Sequence, residues 1–153
     1  MRECVILIGL QASGKSTFFR ERFAQTHDHV SKDLLRGNRQ AERRQQELLR
    51  ASLSAGRSVV VDNTHATVAS RARVIAVARE RGARVTGYYF ETESAHALRR
   101  NRLREGPARV PDVAIFATRK RLEPPSLDEG FDQLWLVRLD ENRGAFEISK
   151  AHP

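Results

Sequence analysis

The sequence predicts an α/β domain in which a mainly parallel sheet carries helices on both faces. The chain has 153 residues, 40% of them hydrophobic, which is enough for one compact core and too little for two ordinary domains. Short continuous apolar runs, typical of strands buried on both faces, recur along it. Helical segments separate these runs, and such alternation favours parallel strands. We therefore predict a single domain over residues 1–153.

The first half of the chain contains two predicted strands and two predicted helices. The apolar run at residues 3–9 predicts a buried strand, and residues 15–25 predict a helix with two phenylalanines one turn apart. A short strand is expected near residues 28–31. A polar helix rich in arginine and glutamine follows over roughly residues 39–54, and Gly56 ends it.

The second half repeats the alternation. Its strands are apolar runs, and its first helix carries valine, alanine and isoleucine along one stripe. A Gly-Pro pair and a Pro-Pro pair mark the breaks between the later elements. In chain order, the predicted elements are a strand at 57–64, a helix from Val68 that ends before Gly82, a strand at 83–91, a helix at 94–105, a helix at about 112–121 and a last strand at 131–139.

Composition indicates the compartment and the kind of ligand. The single cysteine, Cys4, has no partner for a disulfide, and the apolar N-terminal run is too short to span a bilayer, so we expect a soluble cytoplasmic protein without a membrane partner. Lysine and arginine number 27 against 19 acidic residues, a net charge of +8. Such a surplus favours nucleic acid or phosphorylated ligands.

A nucleotide-binding motif lies between the first strand and the first helix. Gly9, Gly14, Lys15 and Ser16 match the Walker A pattern in the strand-to-helix context that supports it. Its backbone amides and helix N-terminus suit phosphates, its lysine reaches the β- and γ-phosphates, and its serine hydroxyl is a ligand for Mg²⁺. ATP and Mg²⁺ are therefore the expected cofactors. The predicted nucleotide contacts in the loop are Gly9, Ala12, Ser13, Gly14, Lys15, Ser16 and Thr17.

Candidate acceptor-side residues follow the second and third strands. Phosphoryl transfer to an alcohol needs a carboxylate that takes the hydroxyl proton, and Asp33 lies where the carboxyl edge of the sheet is expected. Ser31 could cap the turn that holds it, and Arg36 lies three residues on, where it could grip a substrate anion. Asp62 ends the strand at 57–64 and is a candidate for the magnesium shell or for an acceptor group.

An arginine-rich helix before the Gly-Pro break predicts a lid over about residues 99–112. Arg100 and Arg104 are spaced by four residues, which places them on one helix face. Arginines on such a lid would neutralise charge on the transferring phosphoryl group.

In these motifs the chain resembles the kinase module of the polynucleotide 5'-hydroxyl kinases of phage and especially animal type. The resemblance runs from about residue 4 to 137, and its most specific parts are the Asp-x-x-Arg step, the DNT-x-x-x-x-x-SR segment and the EPP-x-x-x-EGF tail. The matching segments, in order, are "GLQASGKST", "HVSKDLLRG", "VVVDNTHATVASRARVIAVARERG", "RRNRLRE" and "VPDVAIFATRKRLEPPSLDEGF".

The resemblance implies a P-loop kinase domain that transfers the γ-phosphate of ATP to the 5'-OH end of DNA or RNA. It implies Asp33 as the general base, Arg36 as a contact to the neighbouring phosphate of the acceptor, and Asp62 as an acid near the acceptor. Lys15 and Arg104 would be the catalytic cations, with Arg104 on the transferring phosphate and Arg100 beside it.

Two departures from the family pattern stand out. His65 occupies a position where the animal-type motif usually has asparagine. The family's phosphatase domain has no counterpart in this sequence, so a separate phosphatase or ligase partner is an expectation.

Two other readings stay open. A P-loop kinase of a small alcohol, such as a nucleoside, sugar or antibiotic, would use the same nucleotide site but a closed acceptor pocket. A noncatalytic ATP-binding regulatory module would not depend on Asp33. Oligomeric state and the choice between DNA and RNA are not predicted.

Overall fold

A computed structural model describes residues 2–35 and 37–151. One six-stranded sheet organises them, in the order β2-β3-β1-β4-β5-β6. The strands are β1 Glu3–Gly9, β2 His27–Val30, β3 Ser58–Asp62, β4 Arg84–Phe90, β5 Gln133–Asp140 and β6 Ala145–Lys150. The helices are α1 Lys15–Arg22, α2 Ala41–Ser54, α3 Val68–Glu80, α4 Ser94–Arg102 and α5 Asp112–Arg121.

The first five strands are parallel, as the alternation of strands and helices predicts. β1 is central and fully buried from Cys4 to Ile8, because its residues face two different cores in turn. Cys4, Ile6 and Ile8 pack with side chains of α2 and α3, whereas Val5 and Leu7 pack with the phenylalanines of α1. The expected coverage of both sheet faces is therefore confirmed.

The sequence analysis missed the sixth strand. β6 pairs antiparallel with β5 after a tight turn, in which Gly144 has φ +64° and its N–H donates to the Asp140 carbonyl. Only Phe146 and Ile148 of β6 pack against the core, so the strand lacks an apolar run by which the sequence could have revealed it. The domain thus ends in a hairpin.

Two predicted helices end earlier than expected. α1 ends at Arg22 instead of residue 25, and α4 ends at Arg102 instead of residue 105. The second difference matters for the lid, because Arg104 lies in the turn after α4, where its N–H donates to the Asn101 carbonyl. The prediction that Arg100 and Arg104 share one helix face is therefore wrong.

Among the described residues, no helix has the length and apolar character that a membrane crossing requires.

Candidate functional site

The loop between β1 and α1 has the strained backbone of a phosphate-binding loop. Ala12 has φ +60° and Gly14 φ +97°, both in the left-handed region that favours glycine. Gly14 also permits a close approach, because a Cβ atom there would lie 3.0 Å from the Phe146 ring of β6. The hairpin that the sequence analysis missed therefore buttresses the loop directly.

Lys15 is the buried cation of this loop. Its Nζ donates to the carbonyls of Gly9 at 2.8 Å and Leu10 at 2.7 Å, and its residue exposure is only 8%. Burial lowers the pKa of Lys15 to about 8, although the nearby charge of Asp62 acts in the opposite direction. The amine of the Walker A lysine is therefore buried at the start of α1, beside the loop that the motif predicts.

Asp62 connects the loop to the neighbouring strand β3. The Ser16 hydroxyl donates to Asp62 Oδ2 at 3.0 Å, and His29 Nε2 donates to the same oxygen at 3.0 Å. Burial alone would raise the pKa of Asp62, but the His29 hydrogen bond and the positive charge of Lys15 together lower it below its ordinary value. Asp62 is therefore ionised near neutral pH, beside the hydroxyl predicted to bind metal.

The sequence analysis did not place His29 in this site. The ring lies stacked on Phe19, with centroids 4.0 Å apart and an angle of 17° between the planes. Because β2 and β3 are parallel neighbours, their carboxyl ends meet at one edge of the sheet, which is the only signal by which the sequence could have joined His29 to Asp62.

A cavity of about 390 Å³ collects most of the predicted acceptor-side residues. Asp33, Asp62 and Arg104 line it together with Lys15 and Ser16 of the loop. The turn that carries Asp33 is capped as expected, because the Asp33 N–H donates to Ser31 Oγ at 3.1 Å. Burial and the nearby charge of Arg100 lower the pKa of the Arg104 guanidinium, while the carboxylates of Asp33 and Asp62 partly offset that shift.

Arg36 lies outside the described residues, so its predicted contact with an acceptor phosphate stays a prediction.

A second cavity, of about 720 Å³, lies on the other side of the loop. Ser13 and Arg100 line it, together with residues at the carboxyl ends of β4 and β5. The two lid arginines therefore face different cavities, Arg100 the second and Arg104 the first. Of the described residues predicted to contact nucleotide, Gly9, Gly14 and Thr17 line neither cavity. The Thr17 hydroxyl accepts a hydrogen bond from Arg20.

The loop after β3 is tied down by a buried ion pair. Arg71 is fully buried on α3, and its guanidinium contacts both carboxylate oxygens of Glu129, at 2.7 and 3.1 Å. The same guanidinium donates to the backbone carbonyl of His65 at 2.7 Å. His65 itself is buried, has φ +46°, and its Nδ1 lies 2.7 Å from the Leu7 carbonyl.

This ion pair joins two segments that stand out in the sequence. Arg71 ends the DNT-x-x-x-x-x-SR segment, and Glu129 belongs to the EPP-x-x-x-EGF tail. A backbone hydrogen bond connects the same two segments, because the Glu123 N–H donates to the Ala66 carbonyl at 2.7 Å. The tail therefore fixes the loop beside the cavity, a role that the sequence analysis did not assign to it.

Comparisons with known proteins agree with this geometry. The chain is 28% identical over 134 residues to the bifunctional polynucleotide phosphatase/kinase of Schizosaccharomyces pombe; the match covers 85% of this chain and 32% of that protein. The chain thus spans about a third of the length of that relative. The resemblance to the polynucleotide kinases drawn from the motifs is confirmed.

Solved structures share the fold at low identity. A gluconokinase from Sinorhizobium meliloti has a TM-score of 0.67 at 16% identity, with 92% of this chain and 85% of that chain covered. A fungal RNA kinase has a TM-score of 0.68 at 16% identity, with 90% of this chain and 38% of that chain covered. Both show that the sheet and helices form a P-loop kinase fold.

The family comparison covers most of the chain. A family model described as an AAA domain, AAA_33, matches residues 4–125, a range that contains the Walker A loop, Asp33, Asp62 and both lid arginines. The protein therefore belongs to the AAA_33 family of P-loop AAA domains.

Proposed function

We propose that the protein is an ATP- and magnesium-dependent kinase that phosphorylates the 5'-OH end of a polynucleotide, with Asp33 as the general base. The observation that carries the proposal is the shared cavity, in which a carboxylate from the β2 side and an arginine from the lid meet the amine of Lys15. A base, an anion-binding loop and a charge-neutralising arginine are the parts that phosphoryl transfer to an alcohol requires.

The nucleotide would lie along the loop and extend into the second cavity. Backbone amides of the left-handed loop suit its phosphates, and Arg100 is positioned to neutralise them from the lid side. Lys15 would exchange the carbonyls of Gly9 and Leu10 for phosphate oxygens.

The residues beside the loop also fit Mg²⁺. Ser16 Oγ and Asp62 Oδ2 are 3.0 Å apart, and hydroxyl and carboxylate oxygens are the ligands and water acceptors that this hard cation prefers. Ser16 would hold the ion directly and Asp62 would bind its shell. When bound, Mg²⁺ supplies charge neutralisation at the β- and γ-phosphates.

The reaction then has a simple balance. Asp33 takes the proton of the acceptor hydroxyl, whose oxygen forms a bond to the γ-phosphorus. The bond from that phosphorus to the bridging oxygen breaks, and ADP leaves. Lys15 and Arg104 stabilise the negative charge on the transferring group.

A small-alcohol kinase is the second candidate, and the size of the acceptor cavity favours it. About 390 Å³ holds a sugar or a nucleoside but only the terminal unit of a polynucleotide. The acceptor must therefore be identified by experiment.

The test is transfer of labelled γ-phosphate from ATP with Mg²⁺ to 5'-OH DNA and RNA oligonucleotides. We expect labelling of 5'-OH strands, none of 5'-phosphorylated strands, and a loss of at least about 100-fold in Asp33→Asn, because general-base catalysis contributes about that much or more. Asp128→Asn is the matched control, since Asp128 is also exposed and also lies in the first turn of a short 3-10 helix.

Two outcomes would contradict the proposal. Labelling of nucleosides or sugars instead of oligonucleotides would support the small-alcohol kinase. ATP binding without transfer to any alcohol, and unchanged by Asp33→Asn, would support the noncatalytic module.

A further inference from the structure

The wall of the acceptor cavity contains a buried histidine that the proposed reaction does not use. His65 is only 5% exposed and lines the cavity with Lys15 and Asp62. Its Nδ1 lies 2.7 Å from the Leu7 carbonyl, and because a carbonyl oxygen can only accept, Nδ1 carries the proton. Burial lowers the pKa of His65 to about 4, so the ring is neutral and its Nε2 is a hydrogen-bond acceptor.

This acceptor is held in place but is not used within the described chain. Across residues 2–35 and 37–151, Nε2 of His65 has no hydrogen-bond partner. Its backbone is left-handed at φ +46°, a conformation that persists in a non-glycine residue only where the surroundings fix it. Arg71 fixes it here through the His65 carbonyl. A rigid buried acceptor without a donor is a costly arrangement, and such arrangements cluster at binding sites.

A second acceptor of the same kind belongs to a residue that lines the same cavity. Gln11 lies in the loop after β1, and its Nε2 donates to Thr118 Oγ1 at 2.9 Å. The Thr118 hydroxyl uses its own proton on the Ala114 carbonyl at 3.0 Å, which fixes the orientation of the Gln11 amide. The remaining atom, Gln11 Oε1, is buried and has no partner within those same ranges.

The two acceptors determine which ligand chemistry fits between them. Phosphate oxygens are themselves acceptors, and Lys15 and Arg104 already offer the cavity donors for phosphate. A ligand that satisfies His65 and Gln11 must bring hydroxyl or amino donors. Resting on the proposed function, we infer that His65 Nε2 and Gln11 Oε1 bind the hydroxyl or amino groups of the 5'-terminal nucleoside of the acceptor.

Water is the other source of an O–H donor in this cavity, either bound to Mg²⁺ or as an ordered solvent molecule. Water bound to Mg²⁺ does not account for Gln11, whose amide is tied to α5 and not to the Ser16–Asp62 pair. An ordered solvent molecule accounts for both acceptors, but it predicts no change in oligonucleotide affinity when they are removed. If the oligonucleotide supplies the donors, removing the acceptors weakens oligonucleotide binding. If metal-bound water supplies them, removing the acceptors weakens Mg·ADP binding.

The experiment compares the natural protein with three variants that alter one acceptor each. His65→Phe keeps a planar ring and removes Nε2, His65→Asn keeps a side-chain acceptor and tolerates the left-handed backbone, and Gln11→Met keeps the length without the amide. For each protein, fluorescence anisotropy gives the Kd of a 3'-labelled 5'-OH oligonucleotide and the Kd of Mg·ADP. Steady-state assays separate KM from kcat.

We expect His65→Phe and Gln11→Met to raise the Kd and KM of the oligonucleotide about tenfold, which is the usual effect of one lost buried hydrogen bond. The Kd of Mg·ADP should stay unchanged, and His65→Asn should stay within about threefold of the natural protein. Weaker Mg·ADP binding with unchanged oligonucleotide binding would overturn the inference in favour of metal-bound water. Unchanged affinities in both variants would overturn it outright.

A spectroscopic measurement on the natural protein guards against misfolding of the variants. The ¹⁵N resonance of the unprotonated His65 Nε2 should shift when the 5'-OH oligonucleotide binds and should not shift with Mg·ADP alone; no shift with the oligonucleotide would overturn the inference. If the natural protein neither labels nor binds oligonucleotides, the proposed function itself fails and the inference fails with it. If instead labelling is normal and does not change when His65 or Gln11 is replaced, only the inference fails.

Discussion

Lys15 is a cation buried by the fold, and this burial makes stability depend on pH in a direction that can be tested. Its pKa is lowered from 10.5 to about 8, chiefly by burial. Between these values the folded state holds Lys15 neutral while the unfolded state keeps the proton. The unfolded state therefore binds more protons, and stability rises with pH through this window.

We expect the free energy of unfolding of the natural protein, relative to Lys15→Met, to rise by about 3 kcal/mol between pH 8 and pH 10.5. Urea unfolding at a series of pH values measures it. Cys4 acts in the opposite direction, because burial raises the pKa of its thiol to about 12, but it is identical in both proteins and cancels in the difference. A difference that does not change with pH would contradict the prediction.

The loop residues can be proposed from the sequence alone, whereas His65 cannot, for a physical reason. The Walker A spacing encodes a local backbone shape, so Lys15 and Ser16 could be assigned from their neighbours in the chain. The role of His65 depends on which ring nitrogen the Leu7 carbonyl occupies, and Leu7 is 58 residues away. Only the assembled sheet reveals that relation.

At the scale of elements, the loop after β3 depends on the buried pair between α3 and the tail. The side chains of Arg71 and Glu129 are 0% and 9% exposed, and removing one member of such a pair leaves a buried charge uncompensated. We expect Arg71→Met and Glu129→Gln each to lower the free energy of unfolding by about 3 kcal/mol. Urea denaturation of the two variants measures it.

The double variant Arg71→Met/Glu129→Met separates stability from function. It should be more stable than Arg71→Met alone, because no unpaired charge remains. Kinase activity should nevertheless be lower than that of the natural protein in both Arg71→Met and the double variant. In both, the His65 carbonyl lacks the donor that fixes the loop. Glu47→Gln on α2, which loosens an exposed pair with Arg44, is the control and should change stability by less than about 1 kcal/mol. Full activity in the double variant would show that the Arg71–Glu129 pair does not position the loop after β3.

Element boundaries show where sequence patterns lose information. The strands β1, β3 and β4 were found because they are largely apolar and buried, whereas β6 is an edge strand that packs only Phe146 and Ile148 against the core. The end of α4 was misplaced because the first glycine after Arg102 is Gly106, which put the predicted end at residue 105. In the structure Arg104 lies in the turn after α4, and the two arginines of the predicted lid line separate cavities.

At the scale of the whole molecule, the site has two halves, which are the two cavities beside the loop between β1 and α1. The second cavity opens beside Ser13, and the first opens beside Lys15 and Ser16. A phosphoryl group held by the loop would therefore reach from one half to the other. Five basic and three acidic side chains line the first cavity, whereas three arginines and three glutamates line the second. The excess positive charge at the site therefore lies in the first cavity, where the acceptor would bind.

This charge distribution separates a polynucleotide acceptor from a small neutral alcohol. Binding of a single strand releases counterions, so the logarithm of the affinity falls by about 0.7 per contacted phosphate for each tenfold increase in salt. For about three contacted phosphates, acceptor affinity should fall roughly 20-fold between 50 and 200 mM salt. Arg36→Ala should lower the slope, because the family resemblance assigns Arg36 to the neighbouring phosphate of the acceptor, and Arg43→Ala on the exposed face of α2 should leave it unchanged. An acceptor KM that does not respond to salt would point instead to an uncharged small alcohol in the same cavity.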